Sequence, residues 1–365
     1  MFIGFSGDRN SKYFHNQASQ RFRRNTISEL RNAEGVLVSG DEGVLAMVVE
    51  YYSSLYTSSV PIEIEEVVQF IKPVVTEEMN RDLIGVFSRD EVEVAVKQMA
   101  PLKAPGPNGM PPIFFQKFWN IIGNDVVEAV HSCLNLGSIL SGLNHTFISL
   151  IPKVKSPELV TEFRPIALCN VLYKLVSKVL ANRLKKILPH VISESQSAIL
   201  DNILVAFELI HHKKRKKSRK TGHMALKLDM SKAYDRLEWL FLQWTMEKMG
   251  FHSRWVGWIM ECIRLVTYSV LINGEPKGHI VPTRGICQGD PLSPYLFLLC
   301  SEGLNGLIEQ AVHDKHIEGL SLLKHGPKIS HLLQKTVSFF VEQEWRRWRK
   351  YKSYLGSMSW LRGKK

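Results

Sequence analysis

Leu226-Lys227-Leu228-Asp229-Met230-Ser231-Lys232-Ala233-Tyr234-Asp235 is the stretch on which the fold turns. Met224, Leu226 and Leu228 alternate with Ala225, Lys227 and Asp229, the two-residue period of a strand, and Asp229 falls at the strand's end. A carboxylate there has a rigid origin from which to bind a hard cation, although the commoner use of an Asp at such a place is to cap a turn. Further on, Arg284-Gly285-Ile286-Cys287-Gln288-Gly289-Asp290-Pro291-Leu292-Ser293-Pro294 offers a glutamine bounded by glycines, then a Ser-Pro pair that opens a helix. Between the two, Tyr268 to Ile272 and Ile280 to Thr283 read as β segments joined through Asn273-Gly274.

Upstream of the strand, Lys213-Lys214-Arg215-Lys216-Lys217-Ser218-Arg219-Lys220 is a cationic run that repels itself and reads as a solvated loop. A nuclear-import signal and a nucleic-acid contact are the alternatives for it. Leu168, Val171, Leu172, Leu175, Val176, Val179, Leu180, Leu184, Ile187 and Leu188 recur at helical spacing, which predicts a helix over 168–188 stopped by Pro189. Its other face carries Lys174, Lys178, Lys185 and Lys186, read as solvated. Ser88-Arg89-Asp90-Glu91 has the form of a capping box, followed by Val92, Val96 and Met99, and predicts a helix from Arg89 to Ala100. Residues 101–109, with two prolines, two glycines and an Asn-Gly pair, end that helix in a turn.

The chain has 365 residues, of which 45% are hydrophobic and 22% charged, enough to bury one or two cores. Its 47 Lys and Arg exceed 35 Asp and Glu, giving a net charge of +12 and a pI near 9.4, a balance suited to a polyanionic partner. The five cysteines are scattered without a C-x-x-C pair, which argues against a zinc site and against a disulfide framework. No apolar run of about 18 residues and no signal-peptide pattern appears, so a soluble protein of a reducing, intracellular compartment is expected, with no membrane partner.

Taken jointly, these motifs resemble the reverse transcriptase of plant long interspersed elements, the non-LTR retrotransposons. The resemblance also rests on Gly7-Asp8-Arg9-Asn10, Lys103-Ala104-Pro105-Gly106-Pro107-Asn108-Gly109, Phe114-Phe115-Gln116-Lys117-Phe118-Trp119, Leu150-Ile151-Pro152-Lys153, Phe163-Arg164-Pro165-Ile166-Ala167-Leu168 and Leu180-Ala181-Asn182-Arg183-Leu184. It implies an α+β fold with the fingers and palm of a right-hand polymerase. The expected divisions are a linker region over 1–85, fingers and partial palm over 86–333, and a basic remnant of palm and thumb over 334–365. The implied reaction is RNA-directed DNA synthesis on an RNA template and a DNA primer, in the nucleus. It uses Mg²⁺, two ions roughly 3.5–4 Å apart.

Carried over by position, the resemblance implies that Asp229 is the metal ligand and catalytic carboxylate, and that Tyr234 gates the sugar. It implies that Gln288 and Gly289 line the template and nucleotide pocket, and that Arg164 and Lys153 meet triphosphate or template. Lys213, Lys214, Arg215, Lys216 and Lys217 become nucleic-acid contacts under that reading. Asp235, beyond the strand end, receives a structural role.

The chain also departs from the family. An aromatic-Ala-Asp-Asp hairpin should come after Ile329-Ser330-His331-Leu332-Leu333, but the chain runs into Gln334-Lys335-Thr336-Val337-Ser338-Phe339-Phe340, and no two aspartates are adjacent anywhere. A segment is also lacking between Ala198 and Asp201, and the thumb is truncated. The opposing strand is therefore expected to be gone, Glu342 and Glu344 are not expected to replace the lost ligands, and polymerisation is expected to fail. The alternatives are a non-catalytic, basic nucleic-acid-binding module and a chain that does not fold stably.

Overall fold

A computed structural model describes residues 25–61, 64–137, 139, 141–193, 223–229, 232–315, 330–333 and 336–342, together with positions 15, 16, 19, 20 and 211. The cationic run from Lys213 to Lys217 lies outside these residues, as do Gly7-Asp8-Arg9-Asn10 and the shortened link after Ala198.

The main sheet has four strands in the order β4-β3-β6-β7: β3 (His145–Pro152), β4 (Phe163–Cys169), β6 (Thr267–Ile272) and β7 (Glu275–Ile280). β3 runs antiparallel to β4 and parallel to β6, so residues from distant parts of the sequence share one register: Thr146 faces Cys169 on one side and Tyr268 on the other. The expected turn at Asn273-Gly274 joins β6 to β7, with φ of 53° and 94° at the two residues, values that Asn and Gly tolerate best. The returning strand is Glu275–Ile280, earlier than the sequence predicts, because a two-residue turn leaves pairing to begin at once between Ile272 and Glu275.

Helices cover this sheet. α7 (Val171–Val191) buries Leu175, Val179, Leu180 and Leu184, the periodic face expected from the sequence. It differs from expectation at both ends. Leu168 belongs to β4, and Pro189 sits inside the last turn rather than terminating it. Proline forfeits a single backbone hydrogen bond near a helix end, and Ile192 still donates to the Leu188 carbonyl, so the helix persists to Val191. α4 (Arg89–Lys97) starts at the expected capping box: Glu91 N–H donates to Ser88 Oγ, and Ser88 N–H to the Glu91 carboxylate. It stops before Ala100, and Met99 N–H turns back to Val96 O.

α4 and α7 are locked together by Arg183, which is buried. Its guanidinium donates to both Glu91 oxygens at 2.7 and 2.8 Å and to the carbonyls of Leu83, Gly85 and Val86, and it lies 3.7 Å from the Phe87 ring centroid. Burial opposes ionisation of Glu91, yet Arg183 and the Ser88 N–H together hold its carboxyl below the usual range.

Upstream of residue 86 the linker expectation gives way to packed helices. α1 (Asp41–Tyr56), α2 (Ile64–Val68) and α3 (Glu77–Ile84) contribute Val44, Val48, Tyr52, Ile64 and Leu83 to the common core. The chain carries a signal for this: Val44, Val48, Tyr52 and Leu55 or Tyr56 fall on one helical face. The remaining helices that matter to the site are α8 (Trp239–Met249), α9 (Ser253–Arg264), which lies beside it, and α10 (Ser293–His313), which begins at the expected Ser-Pro pair.

A second sheet holds β5 (His223–Asp229), β9 (Thr336–Glu342) and β8 (His331–Leu333), in that order. This corrects the expectation that the strand opposite Asp229 is gone. Thr336–Glu342 supplies it, pairing antiparallel with the whole of β5, and β8 pairs with β9 in turn. Thr336, Val337, Phe339, Phe340 and Val341 are β-branched or aromatic, so the sequence beyond Leu333 has the composition of a strand whatever its origin.

Candidate active site

Three features bring the two principal motifs together. Gly285 N–H donates to Leu237 O and Ile286 N–H to Tyr234 O, joining the glycine-bounded loop to the turn after β5. On the other side Ala167 N–H donates to Gln288 O, tying the loop to β4. From below, the carbonyl of Tyr56, the last residue of α1, accepts from Thr283 and Arg284, while the Arg284 side chain donates to Leu55 O and Glu238. Gly285 has φ of 90°, and a Cβ there would stand 2.7 Å from the Asp235 carbonyl oxygen, so the turn admits no side chain at that position.

These bonds place Tyr234, Gln288 and Gly289 on the wall of one open cavity of ≈ 660 Å³. The Tyr234 ring stacks on Phe297 of α10, with centroids 5.1 Å apart and planes at 18°, which fixes a half-buried aromatic face at the rim. Gln288 is oriented from behind: its Nε2 donates to Asp235 Oδ1 at 3.1 Å. Asp235 is 2% exposed, and burial pushes its carboxyl up to about 6, against the opposing pulls of Gln288 and Lys232. The structural role expected for Asp235 therefore has a concrete form, since its carboxyl group sets the direction of the Gln288 amide.

Arg164 and Lys153 do not line the cavity. Both are exposed on the β3–β4 pair, where Arg164 lies opposite Ile151 and the Lys153 ammonium donates to Thr161 O. The cavity's cations are others. Lys174 and Lys178 of α7, Lys103 of the loop after α4, and Lys232 all face it. Of the lysine face expected to be solvated, Lys185 and Lys186 are exposed, but Lys174 is only 4% exposed. Helical periodicity distinguishes faces, not what lies opposite them, and the opposing wall comes from residues far off in sequence.

Lys103 is carried to the cavity by a loop held through close backbone approach. A Cβ on Gly106 would lie 2.4 Å from the Cys169 carbonyl carbon, and Asn108 N–H donates to Asn170 Oδ1. Asn170 in turn donates to the carbonyls of Gly142 and Leu143. Asp290, also missed by sequence reasoning, is buried just before the start of α10. It accepts from Ser177 Oγ at 2.6 Å and from the backbone N–H of Leu292 and Ser293 at the start of α10. Burial raises its pKa even so. All five cysteines are buried and none is in a disulfide, and the Cys287 thiol lies 3.3 Å from the Tyr268 hydroxyl.

Asp229 ends β5 opposite Thr336. In the sequence Gln334 and Lys335, an amide and an amine, stand between β8 and β9. Glu342 pairs with His223, at the opposite end of β5, roughly 20 Å from Asp229 at strand rise. Asp235 is turned toward Gln288, and among the described residues no group of three or more His, Cys, Asp or Glu could hold a metal ion. Among the described residues the donor set does not fit a pair of Mg²⁺ ions. Among the described residues no helix is long and apolar enough to cross a membrane.

Residues 151–325 match the family model described as reverse transcriptase (RNA-dependent DNA polymerase). The transposon TX1 uncharacterized 149 kDa protein of Xenopus laevis is 29% identical over 305 residues, covering 81% of this chain and 23% of its own length. The retrovirus-related Pol polyprotein from the type-2 retrotransposable element R2DM of Drosophila melanogaster is 26% identical over 285 residues, 75% of this chain and 25% of its own. An uncharacterized mitochondrial protein of Arabidopsis thaliana is 49% identical over 63 residues, 17% of this chain and 52% of its own. The chain thus spans about a quarter of the length of the transposon relatives.

Proposed function

We propose, for a chain whose residues 151–325 belong to the reverse transcriptase family of RNA-directed DNA polymerases, a domain that holds primer and template but does not extend them. The family uses divalent metal ions, and its non-LTR retrotransposon relatives supply the expected context. The higher identity to the Arabidopsis protein supports a plant element as the source. In this reading the α+β architecture is the fingers and palm of a right-hand polymerase, with β5, β8 and β9 as the palm hairpin sheet. RNA template and DNA primer lie along the cavity wall formed by Tyr234, Gln288 and Gly289.

The observation that carries this reading is the division of the site into a preserved part and an altered part. The loop bearing Gln288 is bonded on three sides, to the Tyr234 turn, to β4 and to α1. The link between β8 and β9 has Gln334-Lys335 in place of two carboxylates. Removing one preorganised electrostatic stabiliser costs on the order of 10²–10³ in rate, and two missing ligands take catalysis below detection. In this reading Asp229 is the family ligand that the sequence keeps, with Tyr234 bounding the sugar side of the pocket.

Primer extension on an RNA template with Mg²⁺ tests both halves. Expected is a stable complex with primer–template and no extension above the Asp229→Ala variant. Extension that disappears in that variant would overturn the inactive half of the reading, and absence of any complex would overturn the other.

A further inference from the structure

Two cysteines from distant parts of the chain meet where the Gln288 loop crosses β4. Cys169 ends β4, and Cys287 immediately precedes Gln288. The bond from Ala167 N–H to Gln288 O lays the loop alongside β4 as a neighbouring strand would lie, and the Cys287 thiol donates to the Cys169 sulfur. Thr146 of β3, which pairs with Cys169 on one side and Tyr268 on the other, completes the layer, with the Tyr268 hydroxyl 3.3 Å from the Cys287 sulfur. Neighbouring strands hold opposed Cα atoms about 4.5–5.5 Å apart, inside the roughly 4.4–6.8 Å that a disulfide spans. The two sulfurs differ electrostatically. The hydrogen bond from Cys287 holds Cys169 below the ordinary thiol range against burial, aided by Lys174 and Thr146, while the same bond and burial push Cys287 well up. Elsewhere burial pushes Cys262 and Cys300 up as well.

We propose that Cys169 and Cys287 form a reversible disulfide when the chain meets hydrogen peroxide, so that this pair is an oxidative modification site in a core whose other thiols stay reduced. The thiolate is the species that attacks peroxide, and a nearby cation favours it. Lys174 supplies that cation to Cys169. Peroxide is little larger than water and approaches from the side of Cys287, which is 8% exposed where Cys169 is fully enclosed. The Cys169 sulfur takes one peroxide oxygen as the O–O bond breaks, giving a sulfenic acid and hydroxide, and the hydroxide leaves as water with the proton that Cys169 released. The Cys287 sulfur then attacks the sulfenic sulfur, the S–O bond breaks, and a second water leaves with the Cys287 proton. The thiols are oxidised to one S–S bond, and one peroxide is reduced to water. The new bond adds a covalent tie to the hydrogen bond between Ala167 and Gln288 and so fixes the loop on β4. A small-molecule dithiol reverses it by exchange.

The test is peptide mapping of the full chain. The folded protein is treated with a small excess of hydrogen peroxide, unfolded in an alkylating reagent and digested without reductant. Expected is a linked pair of peptides containing Cys169 and Cys287, two hydrogens lighter than its parts, which dithiothreitol returns to separate peptides. Cys133 and Cys300, 8% and 7% exposed, are as open to peroxide as Cys287 and should be recovered alkylated. Disulfides scattered among the five cysteines would overturn the site, as would oxidation that ends in sulfinic acid on single residues. So would an unchanged Cys169 and Cys287 at a dose that oxidises the exposed Met110. The unaltered chain carries this mapping, so it does not depend on how a variant folds. Cys287→Ala should abolish every linked peptide at Cys169, and a link from Cys169 to another cysteine would overturn the pairing. Hydrogen exchange reads the consequence: residues 284–289 should exchange about tenfold more slowly in the oxidised chain than in the reduced one, with residues 253–264 unchanged. Equal rates at 284–289 would overturn the fixing of the loop.

Discussion

The loop around Gln288 and the hairpin around Asp229 lie on either side of the turn at Tyr234, and they are built by different means. The loop depends on particular residues. Gly285 and Gly106 leave no room for a Cβ, Asn170 spans three segments, and Asp290 accepts from the backbone at the start of α10. The hairpin depends on repetitive strand pairing, in which β9 meets β5 residue for residue with no requirement beyond strand-forming composition. Strand pairing is generic, so many segments could stand where β9 stands. A metal site is not, because it needs specific side chains at specific points.

This contrast predicts where the protein is fragile. On the specified side the largest effect should come from Arg183→Ala, which strands the partly buried Glu91 and several carbonyls between α4 and α7. Denaturant titration should record a loss of about 3–5 kcal/mol. A loss below about 1 kcal/mol would mean that the network is incidental to stability.

On the generic side, Ser338→Pro removes a ladder bond in the middle of β9, the central strand of its sheet. It should cost about 1–3 kcal/mol locally. Hydrogen exchange should then show deprotection of residues 223–229 while residues 145–152 and 163–169 keep their protection. Uniform deprotection of both sheets would show that the two regions form one cooperative unit and would dissolve the comparison.

Asp235 joins the two regions and should report through pH. Its pKa rises from 3.8 to about 6 on folding, so the folded chain holds a proton there that the unfolded chain has released. Stability from this group is present below about 3.8 and is lost as pH rises to about 6. Asp235→Asn should therefore gain roughly 1–3 kcal/mol on the original protein between pH 3.5 and 7.5. An unchanged difference between the two proteins at those pH values would place the perturbation elsewhere.

The smallest effect concerns charge. Replacing the cations of the 213–220 run with Ser or Gln should flatten the salt dependence of nucleic-acid binding by about 0.7 for each phosphate no longer neutralised. If the slope stays the same, the run is a solvated loop, as its self-repulsion suggests.

Much of the fold is legible in the chain alone. The Ser88–Glu91 capping box, the hydrophobic stripe of α7, the strand ending at Asp229, the Asn273-Gly274 turn and the Ser293-Pro294 helix start are local signals, set by backbone geometry and by spacing of 2 or 3.6 residues. Tyr234, Gln288 and Gly289 are legible as a group from their motifs. The end of α7 is not, because a proline in a final turn forfeits little. The helices before residue 86 are hard to tell from a linker, because the stripe of α1 stands behind the basic, polar residues around 7–31.

What only the tertiary structure decided depends on partners far off in sequence. Lys174 belongs to a cavity, not to solvent, because a loop seventy or so residues earlier packs Gly106 against Cys169 and carries Lys103 across from it. Asp235 acts on Gln288 because the two turns share backbone hydrogen bonds. β9 lies beside β5 because a strand edge accepts a segment of strand-forming composition from far along the chain. Local periodicity fixes which elements form and which face is apolar. The surroundings of a charged residue are set by the opposite wall, and no spacing along the chain records what that wall is.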